Sequence, residues 1–311
     1  MKSNKLAMIL AVILLFMCVS SNAAGSAGSS SGSETVRKQG PNGDIYTDNW
    51  RQGTSTGMRT WNAAADSFGF TWNTPSGFDQ IGRIGKDYTS PGLANVKVDD
   101  VKSPCIMTAS ANMRSVGGGG YVWGVYGWTG DQNGKKINEF YVMFQNTFNT
   151  TPGQSGYIDI GSVNIDGVNF SGVKNLHMPW APTQNQYMAI VKSGPWSSTK
   201  PAPWTGDFSI DLKKVFAYFR ANGLPNEYVV DLTWAVEGNA GSHGQIMMSN
   251  LVIPDLNSSN TVVFNPAAPV ADPAWQAGIS LFAVNGRIVQ ASPKTRQPFS
   301  PGIRVIGNKE R

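Results

Sequence analysis

Charge is scarce in this chain: Asp, Glu, Lys and Arg together make up 14% of its 311 residues. Histidine is scarcer, with only His177 and His243, and cysteine is limited to Cys18 and Cys105. These shortages exclude whole classes of chemistry. No His/Cys cluster at metal-ligand spacing can be assembled, so neither a metal nor a cofactor is expected. Cys18 falls in an apolar N-terminal run, and its removal with that run leaves Cys105 alone. An intramolecular disulfide is then impossible, and the expected state of Cys105 is a buried, inert thiol. Long apolar runs are missing too. The run from Leu6 to Val19 has about 14 residues, against roughly 20 for a membrane-spanning helix, so no membrane span is expected.

The same run, preceded by Lys2 and Lys5 and followed by Ser21-Asn22-Ala23-Ala24, reads as a secretion leader over residues 1–24. A secreted or cell-surface protein follows. Leu15-Phe16-Met17 before Cys18 does not form a lipid-attachment box. The formal charge of +5 suggests a polyanion partner until it is divided along the chain. Two lysines lie in the leader, and residues 270–311 hold six basic residues against Asp272 and Glu310. Residues 24–269 carry 17 basic and 18 acidic side chains, so no electrostatic footprint for nucleic acid remains. Gly117 to Gly120 is not a phosphate loop, because neither a helix nor Lys-Ser/Thr follows it.

Glycine and tryptophan are what the chain has in quantity, with 35 and ten residues. Aromatic rings offer flat apolar surfaces on which sugars can lie, and this balance suits a sheet-rich extracellular carbohydrate-handling protein. Residues 25–41, rich in Gly and Ser, read as a flexible linker. From 42 to 257, short runs of Val, Ile, Tyr, Phe and Trp recur between Gly, Asn, Pro and Ser clusters, the pattern of an all-β sandwich or barrel. One segment breaks the rhythm. Phe208 to Asn222 carries Leu212, Val215, Phe216 and Phe219 at helical spacing, with Asp207 or Ser209 to cap its start and Gly223 and Pro225 to end it. Residues 258–276 read as a second linker, and 277–311 as a small β-type tail of two or three short strands.

Glutamate occurs only three times between 42 and 257, as Glu139, Glu227 and Glu237. Strand alternation separates them. In Ile137–Phe144, Phe140, Val142 and Phe144 form an apolar face, which puts Glu139, Tyr141 and Met143 on the other. In Val229–Glu237, Val230, Leu232, Trp234 and Val236 form the buried face, opposite Asp231, Thr233, Ala235 and Glu237. Glu227 follows a Pro-Asn turn and reads as a solvated loop charge. The strand Tyr121–Trp128 presents Tyr126 and Trp128 on one face and is the expected hairpin partner of the Glu139 strand. Glycosidic hydrolysis needs two carboxyl groups flanking one bond, and Glu139 with Glu237 are the candidates.

At these residues the chain resembles glycoside hydrolase family 11, the β-jelly-roll xylanases, with a secondary likeness to family 12 endoglucanases of the same clan. The residues that carry it are Tyr126-Gly127-Trp128 ahead of Glu139-Phe140-Tyr141-Val142-Met143, and Ala235-Val236-Glu237-Gly238 followed by Gly241-Ser242. The turn before Glu139 is longer than the family's, and the Thr and Tyr that flank its second Glu are absent. The likeness extends from about 44 to 254. It implies a β-jelly-roll sandwich of two curved antiparallel sheets with one helix, and a retaining endo-hydrolase that cuts xylan with Glu139 as nucleophile and Glu237 as acid/base. It further implies sugar stacking on Trp50, an acid/base neighbour at Asp79, contacts from Tyr126 and Tyr141 to the nucleophile and the sugar, and a thumb containing Pro182 that leads to Gln186. Met188 stands where the family has Trp, and Phe208–Leu224 is closer to the family 12 helix. The C-terminal Asn285-Gly286-Arg287-Ile288-Val289 and Pro301-Gly302-Ile303-Arg304-Val305 resemble the sorting tails of the type IX secretion pathway.

The expected partner is therefore a plant cell-wall polysaccharide, xylan or a related β-1,4-glycan, bound by a monomer, with export machinery engaged through the tail. Two alternatives stand beside it. One is the same chemistry on β-1,4-glucan or xyloglucan. The other is a non-catalytic carbohydrate-binding β-sandwich.

Overall fold

The computed structural model describes residues 27–258, apart from 32–35, 41–42, 63–66, 91, 94, 148–155, 179–180, 194–201 and 240, together with 281–282 and 288–289. The chain forms two compact units, residues 1–267 and 268–311. In the first unit the strands are β1 (Ala27–Ser30), β2 (Val36–Gly40), β3 (Gly43–Arg51), β4 (Thr56–Asn62), β5 (Ser67–Asn73), β6 (Asp79–Asp87), β7 (Ile106–Gly117), β8 (Tyr121–Gly130), β9 (Lys136–Asn146), β10 (Ile158–Ile165), β11 (Val168–Asn175), β12 (Asn185–Ser193) and β13 (Trp204–Asp211). Helix α1 (Leu212–Ala221) follows, then β14 (Tyr228–Asn239) and β15 (His243–Val252).

These strands make two sheets. One has six strands in the order β1-β4-β5-β15-β7-β13, and the other has nine in the order β10-β11-β12-β9-β8-β14-β6-β3-β2. Neighbours are antiparallel except β12 and β9, which run parallel. This is a jelly-roll sandwich, as the sequence led us to expect. The segment expected as a Gly/Ser linker contributes two edge strands instead: β1 pairs with β4, and β2 pairs with β3. In the second unit β16 (Leu281–Phe282) pairs with β17 (Ile288–Val289), and the expected strand near 301–305 lies outside the described residues.

The core lies between the two sheets and is built by alternation. Phe68, Phe70 and Trp72 of β5, and Phe140, Val142 and Phe144 of β9, all point inward and are buried. At its centre the Trp123 ring stacks on Trp234 at 5.2 Å and meets Phe208 edge-on at 4.3 Å. Aromatic contacts of this geometry add to the energy of simple area burial. Cys105 is free and buried, and burial pushes its thiol up to about 12.

Helix α1 begins later than expected. Phe208 and Ile210 continue strand β13, paired with Ala109 and Met107 of β7, and the N-cap is Asp211 rather than Asp207 or Ser209. The Asp211 carboxylate accepts from Lys213 N and also from Cys105 N. Gly223, at φ 100°, ends the helix as expected. The helix buries Leu212, Val215, Phe216 and Phe219, and Phe216 packs edge-on against Phe140 at 5.2 Å. Since Phe140 follows Glu139 in β9, the helix braces the candidate carboxylate strand from its core side. One alternation also shifts. A β-bulge between Val229 and Asp231 leaves Val229 in the core and turns Val230 onto the opposite face.

Candidate active site

The outward face of the nine-stranded sheet floors a cleft of about 870 Å³. Strand β8, buried along its whole length, runs through its middle, with β9 on one side and β14 on the other. In register, Glu139 of β9 lies opposite Trp128, and Glu237 of β14 lies opposite Val122. Both carboxylates therefore face the same cleft, as alternation requires. The sheet must also bend. Tyr141 of β9 pairs with Tyr126, four residues along β8 from the partner of Glu237. On a flat lattice with about 3.4 Å per residue and 4.8 Å per strand, those backbones would stand roughly 17 Å apart. Yet the Tyr141 hydroxyl donates to Glu237 Oε2 at 2.7 Å. Only a sheet curled toward the cleft brings the two side chains into contact.

Each carboxyl has its own surroundings. Glu139 is 8% exposed. It accepts from Gln186 Nε2 at 2.6 Å and is hydrogen-bonded to the Tyr126 hydroxyl. That hydroxyl already accepts the Trp128 indole N–H at 2.6 Å, so its own proton is directed at Glu139. Burial pushes Glu139 above the usual carboxylate range, while the two hydrogen bonds and the nearby Arg83 hold it down. Glu237 is pushed up to about 8, chiefly by burial; the Tyr141 hydrogen bond opposes this, and the charges of Glu139 and Asp79 add to it. Two hydrogen bonds and a nearby cation thus hold the ionised form of Glu139. Arg83 lowers Glu237 as well, but Glu237 has one hydrogen bond and two acids beside it, so the two carboxyls sit in unlike surroundings.

Of the residues singled out in the sequence, Glu139, Glu237, Trp50, Tyr126, Tyr141, Asp79 and Gln186 all line this cleft. Trp50 is 42% exposed at its rim, and Asp79 lies opposite Asn239, two residues beyond Glu237. Tyr141 differs from expectation in bonding Glu237 rather than the nucleophile candidate. Pro182 does not reach the cleft: it lies exposed in the turn before β12, where its carbonyl meets His177 Nδ1 at 3.0 Å. Glu227 is not simply solvated, for it accepts from Asn138 Nδ2 at 2.7 Å and Thr129 Oγ1 at 3.2 Å and pins the start of β14 to the hairpin. The sequence did not point to Arg83, Lys136 or Tyr157, which also line the cleft. Among the described residues no group of three or more His, Cys, Asp or Glu side chains could hold a metal ion.

No protein-family profile matches the chain, and no curated protein matches it in sequence. Solved structures do match in shape. A family 12 xyloglucanase from Bacillus licheniformis superposes with a TM-score of 0.53 at 17% identity, covering 73% of this chain and 98% of its own. A double-cysteine mutant of ENZbleach xylanase gives 0.52 at 16%, over 75% and 91%. The family 11 xylanase from Neocallimastix patriciarum gives 0.50 at 16%, over 73% and 98%. The chain has the fold of these enzymes. Within that shared jelly roll, the two glutamates sit on opposite flanks of β8 at the floor of the cleft.

Proposed function

We propose that this protein is a secreted retaining endo-glycosidase that hydrolyses internal β-1,4 bonds of xylan. The observation that carries the proposal is the pair of glutamates in unlike surroundings on one cleft floor: Glu139, raised by burial but opposed by two hydrogen bonds, and Glu237, held protonated up to about pH 8. In the first step a Glu139 oxygen bonds to the anomeric carbon as the glycosidic C–O bond breaks, and Glu237 gives its proton to the leaving oxygen. In the second, Glu237, now ionised, takes a proton from water; that water attacks the same carbon and releases Glu139. One water is consumed, and both carboxyls return to their starting states. Trp50 at the rim offers a stacking face, and Asp79 supports the raised pKa of Glu237.

A second reading, β-1,4-glucan or xyloglucan as substrate, is favoured by the superposition on the family 12 xyloglucanase and by Met188 on the cleft wall. Reducing-sugar release from xylan, carboxymethyl-cellulose and xyloglucan separates the two. We expect Glu139→Gln and Glu237→Gln each to cost about 10³-fold or more in kcat on the preferred glycan while insoluble glycan is still retained. Binding by the wild type with no release from any of the three would make the protein a carbohydrate-binding module instead. The N-terminal leader would direct export, and the C-terminal tail would serve as its sorting signal; intact mass of secreted protein, showing whether each has been removed, tests both.

A further inference from the structure

Arg83 of β6 lines the cleft, yet its charge is already committed. Its Nε and Nη2 donate to the two carboxylate oxygens of Asp48 on β3 at 2.6 and 2.7 Å, a bidentate pair with side chains only 12% and 9% exposed. Buried ion pairs of this kind contribute little net stability, because desolvation offsets their attraction. Their value lies in fixing geometry. The guanidinium carbon stands 5.1 Å from the centre of the Tyr126 ring, on β8, although β14 runs between the two strands. It can cross because β14 presents only Ala235 beside Arg83 and Thr233 beside Tyr126. Tyr126 in turn directs its hydroxyl at Glu139.

We infer that Arg83, clamped by Asp48, is a positioning residue for Glu139, holding from one ring face the phenol that hydrogen-bonds the carboxylate. A four-strand line results: Asp48 on β3, Arg83 on β6, Tyr126 on β8 and Glu139 on β9. A cation on the ring face attracts the aromatic quadrupole and keeps the ring from swinging away, while Trp128 fixes its hydroxyl from the other end. The clamp deepens the hydrolase reading in that Glu139 is the reacting group there, but the clamp itself does not depend on turnover. The charged and titratable groups facing Glu139 are Arg83 on β6, Asp231 and Glu237 on β14, Tyr126 on β8, Lys136 and Tyr141 on its own strand, and Tyr157 before β10. Lys136 pairs with Asp231 and stands over the Trp128 ring, whereas Arg83 stands over the Tyr126 ring and is the cation whose charge holds Glu139 down.

The test is the titration of Glu139 itself, followed by NMR on protein carrying ¹³C-carboxyl glutamate. The chain has five glutamates, and the resonance absent from Glu139→Gln gives the assignment. In Arg83→Met we expect Glu139 to titrate about one pH unit or more higher than in the wild type, with Arg83→Lys in between. Ala235→Val, which places bulk in the path of the guanidinium while leaving every charge in place, is expected to shift it in the same direction. On the preferred glycan the acidic limb of kcat/KM should move with the NMR value, and kcat should fall more than KM rises. Unchanged titration of Glu139 in Arg83→Met, or in Ala235→Val where the methionine variant does not fold, overturns the inference. If the wild type hydrolyses no glycan, the hydrolase reading fails, and the titration still decides the clamp.

Discussion

Glu237 has one hydrogen bond, from Tyr141, against burial and two neighbouring acids, and this balance has consequences in two measurements. In kcat/KM the alkaline limb should lie near pH 8, where Glu237 loses its proton, and the acidic limb above the ordinary carboxylate range, where Glu139 gains one. The stability consequence follows from linkage. A carboxyl whose folded pKa is raised above its unfolded value favours the fold fully at low pH, and that contribution is lost as pH rises toward the folded value, because only the unfolded chain ionises easily. Glu237→Gln should therefore melt with the wild type at pH 4 and above it at pH 8. The gain is of order 2 kcal/mol after allowance for the part of the side chain that meets solvent. Equal melting at both values would show that Glu237 ionises in the fold as freely as in a peptide. The two glutamates were legible in the sequence because strand alternation sorts them from Glu227 and because the flanking motifs resemble a known family. Arg83 and Lys136 were not, since a charge on a strand reads as a solvated face until its partner is seen, Asp48 on the next strand and Asp231 two strands away. Tyr157 was hidden for a different reason: it lies just before β10, outside any strand, and alternation says nothing about where such a residue delivers its side chain.

At the scale of elements, the β9 strand and its brace show what periodicity can and cannot decide. Phe208, Ile210 and Leu212 fit a period of two, while Phe208, Leu212, Val215, Phe216 and Phe219 fit a helix. Pairing of β13 with β7 settles the competition as far as Asp211, and the helix takes over from there. The bulge at Val230 was invisible for a similar reason, since one extra residue in a strand changes faces without changing composition. Edge strand β1 escaped notice because Gly and Ser carry little strand propensity, and β2 because Arg37, Lys38 and Gln39 show no apolar alternation; pairing with β4 and β3 overrides both. Asp211 joins two elements, capping α1 and holding Cys105 N. Asp211→Ala should cost about 1–3 kcal/mol, seen as a lower denaturant midpoint with an unchanged slope. No change in midpoint would mean the helix start is held by its apolar face alone.

Over the whole molecule, the two-sheet architecture was readable because both sheets bury one face, so apolar and polar positions alternate strand after strand. The curl of the nine-stranded sheet was not readable, yet it is what closes the gap between Tyr141 and Glu237 and makes a site of residues far apart in sequence. The charge of the body is near neutral and its cleft holds acids, which suits a neutral polymer better than a polyanion. The central claim is that Glu139 bonds covalently to a sugar while Glu237 supplies the proton. Its most direct test is intact and peptide mass analysis after incubation with 2-deoxy-2-fluoro xylobioside and cellobioside carrying good leaving groups, which slow release of a glycosyl–enzyme intermediate. The account predicts one disaccharide added per chain, on Glu139, and none in Glu139→Gln. An adduct on another residue, or no adduct in a preparation that turns over the corresponding polymer, would contradict it.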